Sequence, residues 1–213
     1  PAIPVLVFGL LLSTACSSPP DPPPIPSGDD LLSQYTEVRL TTDLEQLTDN
    51  ERAMLPLLIQ AAYAMDRIFW KQAYGDRDSL LDSIDDEQLR RFAEINYGPW
   101  DRLNGNEPFL DGVGPKPLGA NLYPVDIDKE ELDQAVEAAK TAGDNERADA
   151  LTSLYTVVKR ASDGGLETRA YNLEYGEDLR TASDYLSRAA ELADDEGLRL
   201  YLELRSQALL SND

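Results

Sequence analysis

The 213-residue sequence contains no histidine and only one cysteine, Cys16. Histidine is the commonest general base and the commonest metal ligand in proteins. Its absence excludes Ser-His-Asp and Cys-His nucleophile systems and an ordinary zinc site. A single cysteine excludes an internal disulfide, a CxxC motif and a thiolate metal centre. Any chemistry that involves this chain must therefore rest on carboxylates or on groups outside the chain.

Positive charge is also scarce. The sequence has 19 Lys and Arg residues against 40 Asp and Glu residues, which gives a net charge of −21. Proteins that bind nucleic acid use Lys and Arg to displace counterions from phosphates, and anionic membrane surfaces attract basic segments. We therefore expect no nucleic-acid partner. With 40 carboxylates, close acidic pairs arise by chance, so spacing alone identifies no glycosidase-type pair.

The N-terminal segment has an apolar run over residues 3–12 and no charge before Cys16. Ten residues span roughly 15 Å as a helix, about half of a bilayer's hydrocarbon core, which is typical of a signal-peptide h-region. The small residues 13–15 before Cys16 resemble a bacterial lipobox, in which the cysteine is lipidated after cleavage. We predict a signal peptide at residues 1–15 and lipid attachment at Cys16. The alternatives are an ordinary signal peptide with an unmodified cysteine, or a buried apolar strand.

The following segment, residues 16–28, is predicted to be a tether. Six of its residues are prolines, which favour extended polyproline conformations and provide no core to bury. Ser17, rather than an acidic residue, follows the cysteine, and this resembles the outer-membrane sorting pattern of enterobacterial lipoproteins. The expected location is the bacterial cell envelope, with the protein lipid-anchored to the outer membrane and facing the periplasm or the cell surface. Membrane contact is expected through the N-terminal lipid only.

Residues 29–213 predict a mainly α fold with a small β-hairpin, an α+β class. Thr48 and Glu51 have capping-box spacing before a long amphipathic pattern that ends before Gly75. Further helices are predicted at about residues 85–95, 128–142, 174–193 and 196–210. Two β-prone stretches at residues 153–159 and 166–171 flank a Gly-Gly turn, which predicts the hairpin.

Residues 96–127 contain five glycines and five prolines, so regular structure there would be broken every few residues. Apolar and aromatic residues within the segment predict that it packs against the helices. It is either a structural wrap over the helices or the wall of a ligand cleft, and the sequence leaves both interpretations open. The cleft interpretation names six candidate contacts: Tyr97, Trp100, Asp101, Arg102, Asn104 and Asn121.

Several stretches resemble the N-terminal part of bacterial dipeptidyl peptidase III family proteins. They are MDRIFWKQAYGD at 65–76, FAEINYGPWDRLNG at 92–105, GPKPLGANLYP at 114–124, SLYTVV at 153–158 and LYLELRSQALL at 200–210. They occur in the same order as in the family and together cover about residues 45–213. The run FAEINYGPWDRLNG is the most specific of them.

The resemblance implies the helical lobe of a two-lobed zinc exopeptidase that removes dipeptides from the N-termini of peptides. In that family, histidines of a His-Glu motif and a downstream glutamate hold the zinc. A chain without histidine cannot carry that motif, so no catalytic, cofactor-binding or metal-binding position transfers to this sequence. The resemblance thus predicts an incomplete N-terminal lobe that is inactive alone, with zinc and peptide substrate bound by the full-length protein. The absence of an initiator methionine fits a fragment.

Two other hypotheses remain open. The chain could be a complete, non-enzymatic envelope lipoprotein that binds peptides or a partner protein through residues 96–127. It could also be a structural helical lipoprotein without a ligand. Continuation of the reading frame past Asp213 into a His-Glu-x-x-x-His segment would favour the peptidase hypothesis.

Overall fold

The computed structural model describes residues 26–211, and over these residues it is mainly helical with two small antiparallel sheets. This confirms the predicted α+β class. The helices are α1 (Gly28–Leu32), α2 (Asp49–Ala73), α3 (Arg77–Asp82), α4 (Glu87–Asn96), α5 (Lys129–Thr141), α6 (Asn145–Thr152), α7 (Tyr171–Glu174), α8 (Gly176–Leu192) and α9 (Glu196–Ser211). The strands are β1 (Trp100–Asp101), β2 (Glu107–Pro108), β3 (Thr156–Arg160) and β4 (Leu166–Ala170).

The predicted signal peptide, Cys16 and most of the predicted tether lie outside the described residues. Within the described part, regular structure starts at Gly28, because the Ser27 side chain accepts a hydrogen bond from the backbone of Asp30 and caps α1. Across residues 26–211, every helix is too short or too polar to cross a bilayer.

Helices α2, α8 and α9 form the central layer. The N-terminal end of α2 meets the C-terminal end of α8 in a cluster of Met54, Ala189, Ala190 and Leu202. Towards its other end, Ile68 of α2 packs with Leu179 near the start of α8. Helices α2 and α8 are therefore antiparallel, and α9 returns along α8. Burial of these apolar faces is the main stabilisation of the layer.

The predicted hairpin is confirmed as β3 and β4, which pair in antiparallel register with Val158 opposite Thr168. Its two faces are both covered. Val157 packs with Ile68 and the start of α8, whereas Val158 packs with Leu151 of α6 and with apolar residues of α5. Both valines are almost fully buried, as β-branched residues in a doubly covered strand are expected to be.

The segment predicted to be irregular runs from the end of α4 to α5. It contains mostly turns and one short ladder, β1 with β2, in which Trp100 pairs with Pro108. Near its end the segment is held against the central layer. The Asn121 backbone N–H donates to the Gln72 carbonyl at 3.0 Å, and the Val158 N–H donates to the Leu122 carbonyl at 2.9 Å. The segment therefore wraps over α2 and the edge of β3.

Candidate functional site

The six residues predicted to contact a ligand lie in different environments. Trp100 and Asp101 are buried, being 8% and 3% exposed. The Trp100 indole Nε1 donates to the Gly114 carbonyl at 2.9 Å, and Asp101 Oδ1 accepts the Leu103 N–H at 2.9 Å. Both residues thereby support the turn around β1 and β2.

Tyr97 and Arg102 lie together at the surface of α2. The Tyr97 ring packs edge-to-face on Phe69 with 4.6 Å between ring centroids. The Arg102 guanidinium carbon lies 5.1 Å from the Tyr97 ring centroid and 5.6 Å from that of Phe69, within cation–π range. Phe69 is 43% exposed. We call Phe69, Tyr97 and Arg102 the aromatic–arginine cluster.

Local backbone geometry places Tyr97 in this cluster. Tyr97 ends α4 in the left-handed conformation at φ 53°, which is strained for a residue with a side chain. The Tyr97 hydroxyl donates to Asp66 Oδ1 at 2.5 Å. That hydrogen bond, followed by burial, raises the pKa of Tyr97 above its ordinary value. Tyr97 is therefore a neutral hydrogen-bond donor at physiological pH.

Asn96 fixes the backbone and the side chain of Arg102. It is 2% exposed, and its Nδ2 donates to the Phe92 carbonyl at 3.0 Å. Its Oδ1 accepts the Arg102 backbone N–H, and its backbone carbonyl accepts Arg102 Nε, both at 3.0 Å. These hydrogen bonds hold the Arg102 backbone and Nε in place, although Arg102 is an exposed residue. Asn96 and Phe69 were not among the site residues predicted from the sequence.

The remaining two candidates are exposed. Asn104 lies in the turn between β1 and β2, where its backbone N–H donates to the Asp101 carbonyl at 3.2 Å. Asn121 lies at the C-terminal end of α2, where its Nδ2 donates to the Lys71 carbonyl at 2.9 Å. Asn121 therefore caps α2, and neither asparagine belongs to the aromatic–arginine cluster.

Lys71 links this end of α2 to a buried carboxylate. Asp178 of α8 accepts hydrogen bonds from Lys71 Nζ at 2.6 Å and from Arg67 Nε at 2.7 Å. Burial by itself would raise the pKa of Asp178, but the hydrogen bonds from the two cations outweigh it and hold the pKa below its ordinary value. Asp178 therefore stays ionised and cross-links α2 to α8.

A recess of about 540 Å³ lies between the end of α2, the outer edge of β3 and the segment before α5. It is rich in charge, but the charges form pairs. Lys159 Nζ bonds Glu174 at 2.5 Å, and Arg160 bonds Asp126 at 2.9 Å and also Glu131. Arg160 Nε is buried without a hydrogen-bond partner among residues 26–211. The charges themselves are compensated by these pairs, so the recess offers little net charge to a ligand.

Comparison with known proteins gives two similar solved structures, both of dipeptidyl peptidase III. The enzyme from Caldithrix abyssi matches with 36% sequence identity and a TM-score of 0.79, over 87% of this chain and 35% of that one. The enzyme from Corallococcus sp. strain EGB matches with 34% identity and a TM-score of 0.79, over 90% of this chain and 36% of that one. The fold is therefore dipeptidyl peptidase III-like.

Among curated proteins, Nudix hydrolase 3 of Arabidopsis thaliana is 26% identical over 237 residues, which is 85% of this chain and 30% of the relative. Its name indicates a different activity from that of the two solved structures. No protein-family model matches the chain. The chain spans about a third of the length of each of these three relatives.

Proposed function

We propose that this chain is part of the N-terminal lobe of a longer dipeptidyl peptidase III-like protein and forms one wall of its peptide-binding cleft. The observation that carries the proposal is the similarity to the two solved peptidases, at 34–36% identity over most of this chain. The chain corresponds to about a third of either enzyme, so the complete activity needs residues beyond those present here.

The zinc implied by the resemblance does not fit the residues of this chain. The sequence has no histidine, and Cys16 is its only cysteine. Between residues 26 and 211 no three His, Cys, Asp or Glu side chains are grouped closely enough to hold a metal ion. We therefore assign the metal ligands to the remainder of the longer protein and expect the 213-residue chain alone to release no dipeptides.

The contribution proposed for this chain is to bind and orient a peptide. Of the six candidate residues, Tyr97 and Arg102 form a fixed surface with Phe69, in which Arg102 and Phe69 are exposed and Tyr97 is half-buried. Aromatic rings and a guanidinium plane bind apolar side chains and backbone carbonyls or carboxylates of a peptide. Trp100 and Asp101 would act indirectly, by holding the turn that carries Arg102.

Envelope anchoring through Cys16 is part of the same proposal. Lipidation at Cys16 and the proline-rich tether would hold the lobe at the bacterial outer membrane, with no other membrane contact. Metabolic labelling with a radioactive fatty acid tests this directly. Label is expected in the wild-type protein and not in Cys16→Ser, and equal labelling of both would contradict the assignment.

One observation supports a second function, that of a non-enzymatic lipoprotein that binds peptides or a partner protein through residues 96–127. This segment exposes three apolar side chains, Leu103, Leu118 and Val125. Sequencing the gene past the codon for Asp213 separates the two proposals. A His-Glu-x-x-x-His segment downstream supports the peptidase, and a stop codon at that point supports the binding lipoprotein.

The peptidase proposal is tested on the extended reading frame and on the 213-residue chain in parallel. We expect about one zinc per molecule and dipeptide release in the long form only. Within the long form, Arg102→Gln should raise KM by about fivefold, from loss of roughly 1 kcal/mol of peptide binding. Arg39→Gln, at an exposed arginine outside the cluster, is the matched control. Absence of zinc and of activity in both forms would refute the proposal.

A further inference from the structure

A groove opens between α2 and α9, and Phe69 of the aromatic–arginine cluster is one of its lining residues. The two helices come together with α8 at their N-terminal ends, where Met54 and Leu202 share a cluster. Towards their C-terminal ends they enclose a cavity of about 440 Å³, floored by Leu179 of α8. This volume lies within the range of about 300–1,000 Å³ that small-ligand pockets occupy. We call this cavity the α2–α9 groove.

The walls of the α2–α9 groove are mainly apolar and aromatic. Its lining includes Met65 and Phe69 of α2, Leu209 of α9, and the aromatic residues Tyr155 and Tyr171. Phe69 and Tyr155 are 43% and 57% exposed, so the apolar surface is open to solvent. Exposed apolar surface concentrated in a concave site is typical of binding sites.

Arg205 of α9 lines this groove and gives it a positive charge. No side chain or backbone group among residues 26–211 forms a hydrogen bond or an ion pair with Arg205. Arg199 on the same helix is different, because it is paired with Glu196 and Glu203. In a chain with 40 acidic residues, a guanidinium left unpaired beside an apolar groove is complementary to a ligand that carries a carboxylate.

Hydroxyl groups further define the ligand. Tyr155 and Tyr171 line the groove, and their hydroxyls have no hydrogen-bond partner within the described part of the chain. Burial raises the pKa of Tyr175, which packs against Tyr171, to about 12, so the Tyr175 hydroxyl is neutral at physiological pH. A hydrocarbon chain in the groove would desolvate these hydroxyls without pairing them, whereas peptide carbonyls would accept their hydrogen bonds.

We infer that the α2–α9 groove binds the C-terminal end of an apolar peptide, with the terminal carboxylate paired to Arg205 and the last apolar side chains between Phe69 and Leu209. The inference depends on this chain's own residues and not on the proposed peptidase activity. It is therefore tested without zinc and without the remainder of a longer protein.

The test is calorimetric titration of the 213-residue chain with acetyl-Leu-Leu-Phe as the free acid and as the C-terminal amide. We expect the acid to bind at least about tenfold more tightly, because only the carboxylate forms a charge-assisted hydrogen bond with Arg205. Arg205→Gln should abolish this preference without lowering the melting temperature. Arg39→Gln removes the same charge from an exposed arginine elsewhere and should retain the preference.

A second variant tests the position of the site. Ala208→Phe fills the groove while leaving Arg205 in place, so acid and amide should both lose binding. Equal affinity for acid and amide, or an unchanged preference in Arg205→Gln, would overturn the inference. So would tighter binding of decanoate than of the peptide. Binding that is present in the 213-residue chain and lost in the extended reading frame would show that the groove is an internal packing surface, and would overturn it as well.

Discussion

Replacing Asp178 by asparagine measures how much one buried carboxylate contributes to holding α2 against α8. The Asp178 side chain is 7% exposed, whereas those of its partners Arg67 and Lys71 are 49% and 50% exposed. Asparagine keeps the shape of the side chain but removes its charge. The substitution therefore weakens two charge-assisted hydrogen bonds without creating a cavity.

The expected loss follows from these contacts. A hydrogen bond to a charged group contributes about 1.5–3 kcal/mol. The two cations are half exposed, so water solvates them when the carboxylate is lost, and asparagine still accepts one hydrogen bond. We expect Asp178→Asn to lower the free energy of unfolding by about 2 kcal/mol. In a protein of this size that lowers the melting temperature by about 4–8 °C, which calorimetry or circular dichroism measures.

The same contribution should depend on pH. The pKa of Asp178 is lowered in the folded protein, whereas an unfolded Asp titrates near pH 3.9. The folded state then binds fewer protons than the unfolded state, so the stabilisation is complete above about pH 4 and is lost as pH falls through the folded pKa. In urea unfolding experiments, the difference in free energy of unfolding between wild type and Asp178→Asn should be smaller at about pH 3 than at about pH 6.

Glu177→Gln is the matched control. Glu177 lies in the same first turn of α8 and also opposes the positive end of the helix dipole, but it is exposed. Its replacement should cost no more than about 0.5 kcal/mol. The reasoning is refuted if the two variants are equally stable, or if the effect of Asp178→Asn grows as the pH falls.

Further predictions concern helix ends and close packing. Thr48→Ala removes the capping box of α2 and a 2.6 Å hydrogen bond to Asp194. It should lower the free energy of unfolding measured in urea titrations by about 1–2 kcal/mol. A variant as stable as the wild type would contradict a stabilising role for this cap. Gly28→Ala would place a Cβ 2.7 Å from the backbone nitrogen of Leu89, so α1 should detach from α4 and its amides should exchange faster. Gly114→Ala is the control, because a Cβ at that position has no atom within 4 Å and should leave amide exchange in α1 unchanged. Equal exchange rates in α1 of the two variants would contradict close packing of α1 against α4.

Features with local signals were predictable from the sequence. The capping box at Thr48 and Glu51 forms as expected, with both reciprocal hydrogen bonds present. The Gly-Gly turn between β3 and β4 is also a local signal, because Gly164 adopts a φ of 88°, which few residues other than glycine tolerate. Such elements depend on residues only a few positions apart.

Short helices were harder to predict. Helices α3 and α6 have six and eight residues, too few turns for apolar periodicity to stand out. Their N-caps, Asp76 and Asp144, are a weak signal in a chain with 40 acidic residues. In the structure both helices are stabilised by tertiary packing, which a local pattern does not reveal.

The candidate site was only partly predictable because it joins distant parts of the chain. Phe69 has the helical spacing of a core residue, and its contact with Tyr97 brings together the end of α2 and the end of α4. Asn96 is buried, and only the fold shows that its amide holds Arg102. Conversely, residue type alone does not show that Trp100 lies in the interior. The role of the six candidate residues in a cleft remains a prediction.

The 25 residues of α2 form one rod, about 37 Å long, that passes through three of the four apolar clusters found among residues 26–211. Met54, Ile68 and Trp70 each anchor it in a different cluster. Its central amides can therefore exchange with solvent only when most of the core opens at once. The cluster around Leu151 has no residue of α2 and is joined to the core through β3. We therefore expect the amides of α5 and α6 to exchange with solvent faster than those at the centre of α2.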